Sequence, residues 1–187
     1  DGAYVVQVAQ RGGKRSSSAS AFLDAATLRR PNLAVVTGAT VDQVLIDNGR
    51  ATGVRFVRDD VPETLRCRRE VILSAGTLQS PAILMRSGVG PADQLRSFGI
   101  EVVLDAPQVG RNLQEHASYA SLFQVDIPTW NTMMRPASMA LQLVKYLLTR
   151  KGLMTIAPIE AMAGLRSQPA LEHPDIHLSL GFMIMDH

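Results

Sequence analysis

Apolar and β-branched residues recur in short segments separated by polar turns, and this pattern predicts three strands between residues 33 and 57. The segments are residues 33–37, 41–47 and 51–57. Asn48-Gly49 lies between the last two, and this dipeptide is a strong signal for a two-residue hairpin turn. We therefore expect residues 41–47 and 51–57 to pair as antiparallel neighbours.

The first 30 residues predict one strand and one helix. Residues 4–9 alternate loosely between apolar and polar side chains. The serines at positions 16–18 offer N-caps for a helix over residues 19–28, and Pro31 would end it.

Residues 58–63 are polar and predict a loop, after which residues 65–74 change from charged to apolar, as a strand entering a buried sheet does. The small residues Ser74, Ala75 and Gly76 predict a turn after this strand. The following helix begins at Thr77 or at Ser80, because Ser80-Pro81 is itself an N-cap pattern, and Gly88 ends it. Such a strand-turn-helix unit allows backbone amides to approach an anion closely.

Beyond residue 90 the pattern predicts a short helix over residues 91–98, between Pro91 and Gly99, and a strand over residues 100–104. Residues 106–116 then form a loop, and residues 119–125 predict a further strand. Because the pattern changes at this loop, we expect a domain boundary near residue 116.

The last third of the chain predicts a helix followed by two strands. Apolar residues follow helical spacing over residues 137–148, and Gly152 provides a stop. Residues 159–165 and 176–185 predict strands. Helices and strands thus mix along the chain, which predicts an α/β class, α+β overall.

Composition limits the possible functions. The chain has 187 residues, 46% of them hydrophobic, and a formal net charge of +2, which gives no electrostatic footprint for binding nucleic acid. It has no apolar run of about 18 residues, so no membrane span is expected. The single cysteine, Cys67, excludes an intrachain disulfide and suits a reducing compartment, so a cytoplasmic location is favoured although the compartment stays open.

No pattern of catalytic or metal-binding residues stands out. Gly88-Val89-Gly90 opens like a dinucleotide fingerprint, but it follows a helix and lacks the third glycine, which favours a helix C-cap. His173 and His177 have the spacing of a helical metal pair, yet Pro174 and the alternation after it favour a strand. His116 is either a proton carrier or a structural loop residue, and the structural role is favoured.

A longer motif carries a family resemblance. Residues 76–90, GTLQSPAILMRSGVG, resemble the second signature of the glucose-methanol-choline (GMC) flavin oxidoreductases at every fixed position. The segments at residues 30–41, 50–54 and 109–116 stand in the order that this family uses. The resemblance covers nearly the whole chain and is closest to the choline dehydrogenase-like branch.

The resemblance implies FAD as cofactor and an alcohol as substrate, with hydride transfer from the alcohol to the flavin. Residues 1–116 would be the later part of a Rossmann-like FAD-binding domain, and residues 117–187 the first part of an antiparallel-sheet substrate domain. By motif position, Val41 resembles the residue whose backbone meets the adenine, and Ser74, Ala75 and Gly76 resemble the turn beside the cofactor. The electron acceptor is oxygen, a quinone or another carrier.

The chain departs from the family pattern in two ways. Gln108 stands where a glycine is usual, and Glu115 where an aspartate is. The glycine-rich FAD fingerprint belongs upstream of Asp1 and the catalytic histidine downstream of His187, so we assign no catalytic residue. We expect an internal segment of a flavin-dependent alcohol oxidoreductase that is inactive alone; the alternative is a non-catalytic remnant or interaction module without flavin.

Overall fold

The computed structural model describes residues 1–157 and 159–181, apart from the side chains of residues 132 and 133. These residues form two compact units. Unit 1 contains residues 1–33 and the described residues from 119 onward, and unit 2 contains residues 34–118. The observed boundary after residue 118 lies close to the one expected near residue 116, but residues 1–33 join the later part of the chain. The assignment of residues 1–116 and 117–187 to an FAD domain and a substrate domain stays a prediction.

The elements are numbered in chain order. The strands are β1 (Gly2–Val5), β2 (Gln10–Arg11), β3 (Lys14–Arg15), β4 (Ala39–Asp47), β5 (Arg50–Arg58), β6 (Val61–Arg66), β7 (Val89–Gly90), β8 (Leu104–Asp105), β9 (Ile159–Leu165) and β10 (Ile176–Gly181). The helices are α1 (Ser18–Phe22), α2 (Gly76–Arg86), α3 (Ala92–Ser97), α4 (Trp130–Met133) and α5 (Pro136–Thr149). Single turns of 3-10 helix lie at Thr27–Arg29 and Leu153–Thr155.

The main sheet of unit 2 is an antiparallel meander in the order β4-β5-β6. Asn48 and Gly49 have positive φ angles of 48° and 75°, as a type I′ turn requires, and Asp47 pairs with Arg50 across it. The predicted hairpin is therefore confirmed. Val44 and Phe56 are its buried apolar side chains among the described residues, because they lie on the face that packs inward.

Several predicted strands are wrong. Residues 33–37, 67–74, 100–103 and 119–125 have no strand pairing. An extended apolar segment becomes a strand only when a ladder of its N–H and C=O groups meets those of a neighbour. These segments make only isolated contacts of this kind, such as the N–H of Cys67 with the backbone oxygen of Thr52 on β5 and the N–H of Val103 with that of Gly88. Conversely, part of the loop predicted at residues 58–63 is strand β6, since a polar sequence is tolerated at a sheet edge.

α2 begins at Gly76, with Ala75 as the N-cap residue, so the predicted start at Thr77 is off by one residue and the alternative start at Ser80 is wrong. Pro81 lies inside the helix. Ser80 lies inside α2 and does not start a helix as an N-cap. Its hydroxyl instead accepts a hydrogen bond of 3.0 Å from the N–H of Ala75, the residue before the helix. Gly88, with φ of 81°, follows the last turn and acts as the predicted stop.

α3 lies where the sequence predicts it, and it supplies part of the core of unit 2. Its N-cap residue is Pro91, and Gly99 with φ of 69° follows its end. Leu95 is only 1% exposed, and Ala92 of α3 and Ile83 of α2 are the other buried apolar residues of the helical layer. β7, which lies between α2 and α3 in the chain, and β8, which follows α3, form a short parallel pair.

Unit 1 contains a sheet in the order β1-β9-β10, with β9 in the centre. The prediction of a strand over residues 159–165 is confirmed. β10 is described as far as Gly181, and the rest of the strand predicted over residues 176–185 lies outside the described residues. α5 matches the predicted helix, with Pro136 in its first turn and Arg150 as its left-handed C-cap.

Two predictions near the N-terminus extend too far. β1 covers residues 2–5, not 4–9, because its partner β9 pairs with Gly2 to Val5. α1 starts where the serines predict, with Ser17 as its cap, but ends at Phe22. The side chain of Asp24 accepts a hydrogen bond of 2.7 Å from the N–H of Thr27 and starts the separate 3-10 turn.

A search of the described helices for one that is long and apolar enough to cross a bilayer finds none.

Candidate functional site

The four residues predicted to meet a cofactor all lie in unit 2. Val41 is half-buried on β4 and pairs with Phe56 of β5. Ser74, Ala75 and Gly76 form the exposed turn at the start of α2. The structure thus places one candidate, Val41, in a sheet and the other three at the N-terminus of a helix.

The turn before α2 is open to a ligand. Gly76 has φ of 83°, and a Cβ atom built on it would meet no atom within 4 Å. The N–H groups of the first helical turn have no acceptor within the helix, and Ala75 satisfies its own N–H through Ser80. The backbone N–H groups of Gly76 and Thr77 therefore remain available as donors to an acceptor on a bound molecule.

The backbone beside Val41 carries a β-bulge. Val41 pairs with Phe56 and Gln43 pairs with Arg55, which are consecutive partners, so Asp42 is the extra residue on β4. Beside this bulge lies the C-terminal end of α2. Arg86 donates from Nε to the backbone oxygen of Asp42 at 2.9 Å, and Gln43 donates from Nε2 to the backbone oxygen of Arg86 at 2.7 Å.

The structure does not bring Val41 next to the turn at Ser74, Ala75 and Gly76. Val41 lies near the C-terminal end of α2, whereas the turn lies at the N-terminal end. The 11 residues of α2 separate the two positions by about 15 Å at 1.5 Å per residue. Only an extended molecule would reach both.

The residues tested for other chemistry remain unassigned. His116 is 96% exposed, and its Nδ1 atom lies 3.7 Å from an oxygen of the neighbouring Glu115. Among the described residues, no group of three or more histidine, cysteine, aspartate or glutamate side chains is arranged to hold a metal ion. Cys67 donates a weak hydrogen bond from Sγ to the backbone oxygen of Ala51 at 3.4 Å. The contact of His116 with Glu115 is at the exposed surface, so it does not mark a catalytic pair.

Sequence reasoning missed the residues that join β4 to α2, namely Asp42, Arg86 and Ser87. Each contact spans more than 40 positions of sequence. The spacing of residues along the sequence does not indicate a contact between positions so far apart. Arg86 and Ser87 belong to the family-like motif, but the motif alone does not indicate what they touch.

Comparisons with known proteins agree with the motif. The family model described as GMC oxidoreductase matches residues 1–118. An uncharacterized GMC-type oxidoreductase of Mycobacterium tuberculosis is 42% identical over 171 residues, which cover 91% of this chain and 31% of that protein. An oxygen-dependent choline dehydrogenase of Rhizobium etli is 41% identical over 168 residues, which cover 88% of this chain and 30% of that protein. The chain therefore spans about a third of the length of these curated relatives.

Solved structures that match this chain agree with the family resemblance as well. Pyridoxine 4-oxidase from Mesorbium loti matches with a TM-score of 0.77 at 28% identity, over 97% of this chain and 32% of that chain. An FAD-dependent oxidoreductase from Chaetomium thermophilum matches with a TM-score of 0.61 at 26% identity, over 72% of this chain and 24% of that chain. The predicted fold class is confirmed by these neighbours and by the mixture of helices and antiparallel sheets.

Proposed function

Because the chain belongs to the GMC oxidoreductase family, we propose that it is an internal segment of an FAD-dependent enzyme that oxidises an alcohol. The family membership supports an oxidoreductase activity for the whole protein, and the Chaetomium neighbour is an FAD-dependent oxidoreductase. The observation that carries the proposal is the family match over residues 1–118, which includes Val41, Ser74, Ala75 and Gly76.

The geometry of the four residues fits part of an FAD site. The turn at Gly76 is exposed and unobstructed, and its backbone N–H groups suit an anionic or polar acceptor. Val41 and this turn are about 15 Å apart along α2, which suits a cofactor bound in an extended form. We propose that the backbone of Val41 meets the adenine and that the turn at Ser74, Ala75 and Gly76 lies beside another part of the same molecule.

The reaction proposed is the removal of a hydride from the CH–OH carbon of a small alcohol. FAD, when bound, supplies the acceptor for that hydride. The role of this chain is to bind and orient the cofactor, and no residue of it is assigned to move the hydroxyl proton. The electrons leave to oxygen, a quinone or another carrier.

The surface of the chain supports the proposal that it packs within a larger protein. Its accessible surface is 15334 Å², whereas two separate folded units of the same total mass of 20.3 kDa would expose about 10,600 Å². The excess of about 4,700 Å² lies on this chain alone and exceeds one partner's share of an obligate interface of about 5,000 Å² in total. Large apolar side chains contribute to this excess, among them Ile72 at 77% and Leu148 at 80% exposed.

The first test compares flavin binding by two proteins. The 187-residue chain, purified alone, is expected to lose flavin absorbance on gel filtration, whereas the complete reading frame that encodes it is expected to retain it. Flavin that stays with the isolated chain contradicts the proposal that the chain is an incomplete site. A complete protein without flavin contradicts the cofactor assignment.

A second test uses two glycines with the same backbone strain. Gly76→Ala and Gly99→Ala both place a Cβ at positive φ, 83° and 69°, with no atom within 4 Å, so both cost about 1–2 kcal/mol of stability. Only Gly76→Ala adds a methyl group at the proposed cofactor turn. We expect the complete protein to bind FAD more weakly with Gly76→Ala than with Gly99→Ala, measured by reconstitution of the apoprotein. Equal FAD affinities of the two variants would show that Gly76 is not part of the cofactor site.

One observation favours a second candidate, a non-catalytic interaction module. The apolar face of α5 is exposed, with Leu141 at 68%, Val144 at 52% and Leu147 at 57%. A module that docks through this face would be a stable, monodisperse oligomer without flavin, whereas a segment of an enzyme would be poorly soluble alone. Analytical ultracentrifugation of the purified chain distinguishes the two.

A further inference from the structure

The bulge on β4 is held from two sides by side chains that no sequence motif connects. On one side, the Asp42 carboxylate accepts hydrogen bonds from Nη2 and Nε of Arg55, at 2.6 Å and 3.0 Å, from the neighbouring strand. On the other side, Arg86 at the end of α2 approaches the same carboxylate at 3.3 Å and donates to the backbone oxygen of Asp42 at 2.9 Å. One carboxylate thus lies between two guanidinium groups, and the backbone at the bulge is also bound directly.

This network differs from an ordinary surface ion pair. Arg58 and Glu63 form an ion pair of 2.8 Å on the same sheet, with similar exposure, but it joins two regular strands. The Asp42 network instead surrounds the one residue of β4 that interrupts the register between Val41 and Gln43. Because a bulge changes the direction of the backbone next to it, the contacts that hold the bulge also set the backbone geometry of Val41.

The attachment of α2 to β4 does not depend on this network alone. The Ser87 hydroxyl accepts from the N–H of Val44 at 2.8 Å, and the Gln43 side chain donates to Arg86 O at 2.7 Å. Both contacts survive a change of the Asp42 carboxylate or the Arg86 guanidinium. The exposed charges add little stability of their own, because solvent screens them.

We propose that Asp42 and Arg86 are positioning residues for the cofactor: they hold the bulge of β4 so that the backbone of Val41 meets the adenine of FAD. This inference rests on the proposed function, since it takes Val41 as the adenine contact. It assigns to Asp42 and Arg86 an indirect role, through Val41, and not a contact with the reacting atoms.

The experiment uses the complete protein, stripped of flavin and reconstituted with FAD. The variants are Arg86→Gln and Asp42→Asn, and the matched control is Arg58→Gln, which removes the ion pair outside the bulge. We expect both bulge variants to raise the Kd for FAD about tenfold, the equivalent of losing about one charge-assisted hydrogen bond. ADP carries the adenine half of the cofactor and competes for the same site. The affinity for ADP should fall by the same factor.

Thermal unfolding of the flavin-free proteins separates positioning from a loss of stability. We expect the bulge variants and Arg58→Gln to unfold at similar temperatures, with affinity changed only in the bulge variants. FAD and ADP affinities equal to those of Arg58→Gln would overturn the inference and leave the proposed function intact. A wild-type protein that binds no FAD would overturn both.

Discussion

The side-chain hydroxyl of Ser87 accepts a hydrogen bond of 2.8 Å from the backbone N–H of Val44, although the two residues are 43 positions apart. The same hydroxyl donates to the backbone oxygen of Ile83 at 2.6 Å, so both functions of the group are used. β4 lies at the edge of its sheet, and Ser87 supplies the acceptor that a further strand would otherwise provide. The end of α2 therefore completes the edge of the sheet beside the proposed adenine contact.

Ser87→Ala is expected to lower the free energy of unfolding by about 1–3 kcal/mol, because the N–H of Val44 would be left buried without an acceptor. Chemical denaturation measures the change. The control is Ser97→Ala, since Ser97 is exposed and donates only to Gln94 O of its own helix. A loss no larger than that of the control would mean that water replaces the serine.

Gly88→Ala is expected to destabilise the protein more than Gly99→Ala, by about 1–3 kcal/mol. Both glycines have positive φ, so both variants carry similar backbone strain. A Cβ on Gly88 would lie 2.5 Å from the backbone oxygen of Glu101 and 2.8 Å from a methyl group of Val103, whereas Gly99 faces open space. Equal unfolding free energies would show that the segment at Glu101 moves away without cost.

Leu95→Ala is expected to cost about 2–5 kcal/mol of unfolding free energy, as large-to-small changes in a packed core do. Leu95 is the described side chain with the lowest exposure, 1%. Phe98 on the next turn is 73% exposed, so Phe98→Ala serves as the control and should change stability by about 0.5 kcal/mol or less. Similar losses in the two variants would contradict the position of the core described above.

Protonation of Asp175 is expected to weaken the turn that precedes β10. The hydroxyl of Ser167, and then its backbone N–H, donate to the Asp175 carboxylate at 2.6 Å and 2.7 Å and lower its pKa below the ordinary 3.8. A lowered folded-state pKa means that the stabilisation is complete above pH 3.8 and is lost as the pH falls through the folded-state value.

The measurement is an NMR titration of the Asp175 carboxyl carbon. Ser167→Ala should raise the pKa of Asp175 toward its ordinary value, since it removes the larger of the two causes. Ser179→Ala on β10 is the control, because Ser179 is not a donor to Asp175. A pKa that is unchanged in Ser167→Ala would show that the hydroxyl is not the cause.

The elements with local signals were predictable from the sequence. Asn48-Gly49 specifies its turn because Asn and Gly adopt positive φ angles at low cost. Gly88 ends α2 and Gly99 follows α3 for the same conformational reason. The motif at residues 76–90 likewise identified the family without any knowledge of the fold.

The strand predicted over residues 65–74 pairs only as far as Arg66, and the one predicted over residues 119–125 does not pair, although residues 71–73 and 119–125 are as apolar as β9. Side-chain pattern reports whether a segment can be extended, but pairing depends on a neighbour that lies elsewhere in the chain or in another part of the protein. The candidate site divides in the same way. Val41 and Gly76 were named from the motif, whereas the distance between them follows from how α2 packs on β4.

The sequence by itself determined the family, the hairpin, the stops of α2 and α3, and the residues proposed to meet FAD, because each is recorded in a short run of residue types. The tertiary structure alone decided that Asp42 is a bulge held by Arg55 and Arg86 and that Ser87 completes the edge of β4. These contacts join residues 13 to 44 positions apart. The physical reason is that a hydrogen bond depends on distance in space, which a linear pattern of polar and apolar residues does not fix.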